Sequence, residues 1–258
     1  MDNRAALVSD LDGTLLGDEA ALERFAAWFS TVRGRVRLAY ASGRFYDSVV
    51  DSIRTSALPA PDVVIGGVGT DMRAFPSGDI LWTPDHDHAQ TRCDGMHWDP
   101  DRVVHVLSSF SDLRPQPPEF QSRHKISYFL DKAGYDRIDA IRQSLRTASI
   151  AADMIYSSGR DLDVVPQGVN KGTTTAILAR QWGIDANHVM VSGDSGNDMT
   201  LFRQGFRGIV VANAHAELRA LRGESAYQSS AAFAEGVLEG VHYWMNRLEW
   251  RSEGAPDA

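Results

Sequence analysis

Two acidic residues, Asp10 and Asp12, follow the short apolar run Ala5-Ala6-Leu7-Val8 and precede Gly13-Thr14. The run has no helical period, which predicts a strand buried on both faces of a parallel sheet. Side chains alternate along a strand, so Asp10 and Asp12 are expected to face one pocket while Leu11 faces away and Gly13 permits a sharp exit. Packing does not reward two like charges a few ångströms apart. A positive group, most simply a hard divalent cation held by oxygen ligands, is therefore expected between them. In that setting Asp10 is a candidate nucleophile toward phosphorus and Asp12 its proton-transfer partner. A turn that merely caps a loop is the competing reading, and other motifs must decide.

Three further stretches carry polar groups at predicted element ends. Arg35 to Tyr40 reads as a strand that ends in Ala41-Ser42-Gly43-Arg44 before a helix through Val49, Val50 and Ile53. Such a junction aims backbone N–H groups at an anion, and Ser42 is expected to hold a phosphate oxygen; an ordinary helix cap is the alternative. Lys171-Gly172-Thr173-Thr174 opens a helix, where a positive charge is disfavoured unless an anionic partner offsets it. It is not a nucleotide-phosphate loop, because the Gly-x-x-x-x-Gly-Lys order is absent. His188 to Ser192 is a buried strand that ends in Gly193-Asp194-Ser195-Gly196-Asn197-Asp198, whose spacing does not fit a calcium loop.

Between these lie weaker signals. Asp62 to Ile65 is a third buried strand leading into Gly66-Gly67-Val68-Gly69-Thr70-Asp71, where Met72 replaces the third glycine of a dinucleotide fingerprint. Close approach of backbone to a polar ligand is expected at Gly69, with Thr70 and Asp71 offered to sugar hydroxyls; a plain turn competes. Met72–Phe75 and Ile80–Thr83 pair as a hairpin around Pro76-Ser77-Gly78-Asp79. Asp85-His86-Asp87-His88 and the polar stretch to His97 read as an exposed segment rather than a metal site.

The elements around these motifs fall into two groups. Asp18 caps a helix with Leu22, Phe25, Ala26 and Phe29 on one side. Asp99-Pro100 opens another helix by the cap-then-proline rule, with Val103, Val104 and Leu107 buried. His124–Leu130, Ala152–Tyr156 and Leu162–Val165 read as strands and Tyr135–Leu145 as a helix, a small α+β unit. Gly208–Val211 gives a last strand, and a helix from about Ala231 through Leu248 closes the chain. The predicted fold is therefore α/β: a Rossmann-like parallel-sheet core over residues 1–84 and 166–258, with an inserted α+β cap over residues 85–165. The cap is expected to exclude water and to read the substrate beyond its reacting group.

Composition narrows the partners. The 258 residues carry 26 basic and 34 acidic side chains, a net charge of −8. Such a surface repels nucleic acid and anionic membranes, so a phosphorylated ligand must be attracted by a local pocket and its metal. Cys93 is the only cysteine, and no apolar run approaches the roughly 20 residues of a membrane span. With no charged-then-apolar leader before the first strand, a cytoplasmic place is expected, and a monomer is favoured over an oligomer.

Asp10-x-Asp12-Gly-Thr, Ser42-Gly-Arg, Lys171-Gly and Gly-Asp194-x-x-Asn-Asp198, in this order, resemble the four motifs of the haloacid dehalogenase superfamily of phosphohydrolases. More closely, Gly67-Val68-Gly69-Thr70, Lys125-Ile126-Ser127-Tyr128-Phe129 and Tyr156-Ser157-Ser158-Gly159-Arg160-Asp161-Leu162-Asp163 resemble the sucrose-phosphate phosphatase branch, which includes mannosylfructose-phosphate phosphatases. The resemblance implies an Mg²⁺-dependent phosphatase of a sugar phosphate, in particular a disaccharide phosphate, acting through an aspartyl-phosphate on Asp10. It implies that Mg²⁺ is held by Asp10, the Asp12 backbone carbonyl and Asp194, with Asn197 and Asp198 orienting that shell and Lys171. Ser42, Gly43 and Lys171 would grip the phosphoryl group. Arg44, Asn197, Lys125, Arg160 and Asp161 join Gly69, Thr70 and Asp71 as candidate substrate contacts. A phosphosugar mutase, or a phosphatase of another small metabolite, would use the same groups.

Overall fold

The computed structural model describes residues 5–86, 92–93 and 96–247. The chain opens with β1 (Ala5–Ser9), α1 (Glu19–Val32), β2 (Val36–Ala41), α2 (Tyr46–Thr55) and β3 (Val63–Gly66), then the hairpin β4 (Asp71–Ala74) and β5 (Ile80–Trp82). Helix α1 starts where expected, because Asp18 accepts a hydrogen bond from the Ala21 amide, and it buries Leu22, Phe25, Phe29 and Val32. Two-residue strands β6 (Arg92–Cys93) and β7 (Met96–His97) pair within the stretch read as exposed loop. The second group is α3 (Pro100–Leu107), β8 (Arg114–Pro115), β9 (Ile126–Phe129), α4 (Ile138–Thr147), β10 (Ala152–Ser157) and β11 (Asp161–Pro166). The chain then runs through α5 (Lys171–Trp182), β12 (Val189–Gly193), β13 (Arg207–Val210), α6 (Ala216–Arg219), β14 (Ala226–Gln228) and α7 (Phe233–Arg247). The short β8, β14 and α6 are absent from the sequence reading, and Asp87, His88, Leu248 and Trp250 lie outside the described residues.

The main sheet has eight strands in the order β14-β13-β12-β1-β2-β3-β4-β5. It is parallel from β14 to β3, and the β4–β5 hairpin runs antiparallel at one edge. From β1 the chain steps to β2 on one side, and it later returns as β12 on the other. This leaves a crevice beyond the carboxyl end of β1, where open parallel sheets bind their ligands. One face of the sheet packs Leu7, Leu38, Tyr40 and Ile209 against α1, α2 and α7; the other packs Val8, Ala39, Ile65 and Val191 against Leu178 of α5. The smaller sheet, β10-β11-β9-β8, is antiparallel and closes its own core of Val103, Leu107, Tyr128, Ile141, Leu145, Leu162 and Val164 under α3 and α4. Among the described residues no helix is long and apolar enough to cross a membrane.

Candidate active site

Lys171 is the centre of the crevice. Its helix begins with a reciprocal cap: the Asn170 side chain accepts from the Thr173 amide at 2.9 Å, and the Thr173 hydroxyl accepts from the Asn170 amide at 3.1 Å. That cap fixes the first turn of α5, and a second contact fixes its position. Gly69, at φ +108°, lies against the Asn170 backbone, and its carbonyl accepts from the Thr174 hydroxyl at 2.7 Å. The Lys171 side chain is fully buried, and its ammonium donates to Asp10 Oδ1 at 2.7 Å, Asp198 Oδ1 at 2.7 Å and Asn197 Oδ1 at 3.1 Å. All three of its protons are thereby used.

The acceptors come from the carboxyl ends of the two central strands. Asp10 follows β1, its amide donates to the Ser192 carbonyl at 3.1 Å, and its Oδ2 accepts from the Thr14 hydroxyl at 3.1 Å. Asp198 closes the loop after β12: its Oδ1 is on Lys171 and its Oδ2 accepts from the amides of Asp194 and Ser195 at 3.1 and 3.2 Å. Both oxygens are committed, so Asp198 holds the loop and the lysine. Asp194 instead turns back against Gly13, whose φ of +79° and missing side chain leave room for the carboxylate.

Asp10, Asp194 and Asp198 each bring an oxygen within 4.8 Å of the others. Burial, then the Asp198 charge, raises the Asp10 pKa to about 7 against the pull of Lys171. Burial, then Asp10, raises Asp194 to about 6. Burial also raises Asp198. Burial alone would discharge Lys171, but Asp10 and Asp198 outweigh it and raise its pKa, so the ammonium persists. One ammonium cannot balance three carboxylates. A hard divalent cation bound through Asp10 and Asp194 would complete the balance, and an all-oxygen donor set suits Mg²⁺.

Asp12 lies on the wall of the same cavity as Asp10, but its charge is met differently from expectation. Its Oδ2 accepts from Arg44 Nε at 2.7 Å, and Oδ1 pairs with Arg44 Nη2. The positive partner of this carboxylate is therefore a guanidinium, itself held by the Ser52 hydroxyl at 2.9 Å. The Asp12 side chain remains half exposed, at 52%. Arg44, expected to contact substrate, lines the cavity and is at the same time the partner of Asp12.

The cavity measures about 360 Å³, and its second wall comes from the smaller sheet. Lys125, Arg160 and Asp161 line it, as do Gly43 and Asn197 from the core. Lys125 is buried, with its ammonium 3.2 Å from Asp163 Oδ1, donating to the Phe120 carbonyl at 3.2 Å, and 5.3 Å from the centre of the Phe45 ring. Arg160 lies 4.8 Å from the centre of the Phe129 ring and 3.4 Å from Asp161, which also accepts from Gln116 at 3.1 Å. Gln116 and Phe120 were not singled out in the sequence, and Asp163 stood there only as the end of a motif, with no role of its own. Asp163 carries a signal in retrospect, since β11 runs antiparallel to β9 and sets it opposite Ser127, which donates to it at 2.6 Å.

Three expected ligand contacts sit elsewhere. Gly69 packs on α5, as described, and Thr70 is buried with its hydroxyl donating to the Gly67 carbonyl at 2.9 Å. Asp71 is paired with Arg73 at 2.8 Å. None of the three lines the cavity. The glycines serve close packing of the loop on the helix that carries Lys171, a use that looks the same in sequence as close approach to a ligand. Ser42 is also buried off the cavity wall, where its Oγ accepts from the Arg44 amide at 3.1 Å.

The family model for "Sucrose-6F-phosphate phosphohydrolase" matches residues 3–245. The mannosylfructose-phosphate phosphatase of Agrobacterium fabrum is 35% identical over 243 residues, covering 92% of this chain and 96% of that one. A probable sucrose-phosphatase of Arabidopsis thaliana is 30% identical over 259 residues, covering 92% of this chain but 59% of the plant protein. The sucrose-phosphatase of Synechocystis sp. PCC6803, solved with sucrose and phosphate, superimposes with a TM-score of 0.85 at 33% identity, over 95% of this chain and 98% of that one. With a buried aspartate–lysine pair at the carboxyl end of β1 and a match over nearly its whole length, the chain belongs to the sucrose-6F-phosphate phosphohydrolase family of haloacid dehalogenase-type sugar-phosphate phosphatases.

Proposed function

We propose that the chain hydrolyses the phosphate ester of a disaccharide, of the sucrose-phosphate or mannosylfructose-phosphate type, with Mg²⁺ and in the cytoplasm. The observation that carries the reading is the Asp10–Lys171 pair at the floor of a cavity whose opposite wall belongs to a separate sheet. Asp10 and Asp194, with the Asp12 backbone carbonyl, would hold the Mg²⁺, and Asn197 and Asp198 would orient these groups. When bound, the ion neutralises the carboxylates and the phosphoryl oxygens.

The Asp10 carboxylate attacks phosphorus in line, the phosphorus–sugar oxygen bond breaks, and an aspartyl-phosphate remains. Lys171, behind the cavity wall, favours the ionised form of Asp10, and the Gly43 amide on the wall steadies the phosphoryl oxygens, while Ser42 holds the Arg44 amide from behind. Asp12 gives its proton to the departing sugar oxygen; in the second step it takes a proton from the water that cleaves the acyl phosphate and releases inorganic phosphate. With both of its oxygens bonded to Arg44, Asp12 is held toward the guanidinium, so reaching the sugar oxygen requires it to turn from Arg44 as substrate enters. Residues 85–165 act as the cap that shields the acyl phosphate and receives the sugar.

The test is phosphate release with Mg²⁺ from a panel of sucrose 6-phosphate, mannosylfructose-phosphate, glucose 6-phosphate and fructose 6-phosphate. A disaccharide phosphate should lead by tenfold or more in kcat/KM, a preference worth about 1.4 kcal/mol. Equal rates across the panel would remove the disaccharide assignment. An isomerised phosphosugar without free phosphate would make the enzyme a mutase.

A further inference from the structure

The cavity wall contains one group that the reaction leaves without a task. Phe120, at the end of the single 3₁₀ turn Pro118–Phe120, is 41% exposed and is one of four exposed large apolar side chains among the described residues. It lines the same cavity as Asp10 and Asp194. Among the described residues no other ring and no cation covers its ring, in contrast to Phe129 on the same wall, which lies beside Arg160 at 4.8 Å and Arg114 at 5.8 Å.

Its backbone is held far more firmly than an idle surface turn requires. The Phe120 carbonyl accepts from the buried Lys125 ammonium at 3.2 Å, and its amide donates to the Pro117 carbonyl at 3.0 Å. Gln121, next in the chain, is tied by its side chain to β9: its Oε1 accepts from the Ser127 amide at 2.7 Å and its Nε2 donates to the Ser127 carbonyl at 2.8 Å. Pro117 and Pro118 restrict the approach further. An apolar ring left uncovered in the cavity, on a backbone fixed before any ligand arrives, is preorganised to cover the C–H face of a ligand.

We propose that Phe120 is a specificity-determining residue, against which the apolar face of the sugar ring that does not carry the phosphate is stacked. This rests on the disaccharide-phosphatase reading and extends it to the choice between one ring and two. A hexose phosphate gripped at Asp10 has no second ring to place on Phe120, whereas a disaccharide phosphate does. The contact is apolar and distant from phosphorus, so it acts on KM more than on kcat.

The experiment compares wild type, Phe120→Ala and Phe120→Trp with sucrose 6-phosphate and fructose 6-phosphate under Mg²⁺, with circular dichroism melting as the check on folding. Phe120→Ala should cut the ratio of kcat/KM for the disaccharide ester over the hexose ester by roughly tenfold to a hundredfold, the range expected for one lost apolar contact in a pocket. The loss should appear as a raised KM, and Phe120→Trp should recover most of it. A ratio that Phe120→Ala leaves unchanged, or two esters impaired equally, overturns the role of Phe120 while the phosphatase reading stands. A wild type inactive on both esters overturns the functional reading first, and this inference with it.

Discussion

Replacing Lys171 with methionine removes the one cation in a buried carboxylate cluster and substitutes a side chain of comparable length. Its ammonium is 2.7 Å from both Asp10 and Asp198 and is wholly buried, and Asp198, fully buried itself, has no water to take the ammonium's place. Breaking a buried pair by removal of one partner costs about 3–5 kcal/mol. In a chain of this size each kcal/mol moves the melting midpoint by about 2–4 °C, which gives a fall of roughly 6–20 °C. That fall depends on pH. In the parent protein burial already raises Asp10 from the ordinary carboxylate range to about 7, and loss of Lys171 raises it further. The folded variant thus holds protons that its unfolded chain has released, so stability declines as pH rises from the unfolded value through and beyond 7. Melting curves in EDTA at about pH 5 and about pH 8 should show the larger deficit at the higher pH. A deficit of equal size at both, or none at either, would refute the picture of a lysine balancing buried carboxylates.

Asp10→Asn should preserve the fold and reduce phosphate release by more than about 10³-fold, as expected for a nucleophile; full activity in that variant excludes the covalent route. Asp12→Asn should lower kcat by about 10²–10⁴-fold on a sugar phosphate. The same variant should lose much less on p-nitrophenyl phosphate, whose leaving group needs no proton; equal losses on both esters would remove Asp12 as the acid. Mg²⁺ affinity, measured by calorimetry, should rise between about pH 5 and pH 8, because Asp10 at about 7 and Asp194 at about 6 must release protons to bind the ion. A flat affinity profile would place the ion on other groups.

The parts of this site visible in the sequence are those fixed by short stretches of backbone. Asp10 at the end of β1, Lys171 at the start of α5 and Asp194 after β12 occupy the junctions that their neighbours predict, because an apolar run, an Asn cap and a glycine-rich turn each act over a few residues. Contacts between distant side chains were not visible. The pairing of Asp12 with Arg44 joins positions 32 apart in the chain, and its orientation depends on the Ser52 hydroxyl nearly two turns into α2. The stretch Gly66–Asp71 shows a different limit: φ values of +55° at Gly67 and +108° at Gly69 require glycine for the turn and for contact with α5, and sequence alone cannot say whether the nearest neighbour is ligand or helix. Lys125, a plausible surface lysine by type, is only 3% exposed because Asp163 on the adjoining strand pairs with it.

The two walls of the cavity have separate structural origins. Groups that act on phosphorus are carried by the parallel sheet and α5, and their spacing tolerates almost no change, since Gly13, Gly69 and Gly193 are each pressed against atoms of the machinery. The facing groups are borne by β9, β10, β11 and their loops, with a hydrophobic centre of their own. Substitutions there can alter which alcohol is released without disturbing the bond-breaking apparatus, so descendants of one such ancestor can diversify in diet while retaining a common chemistry.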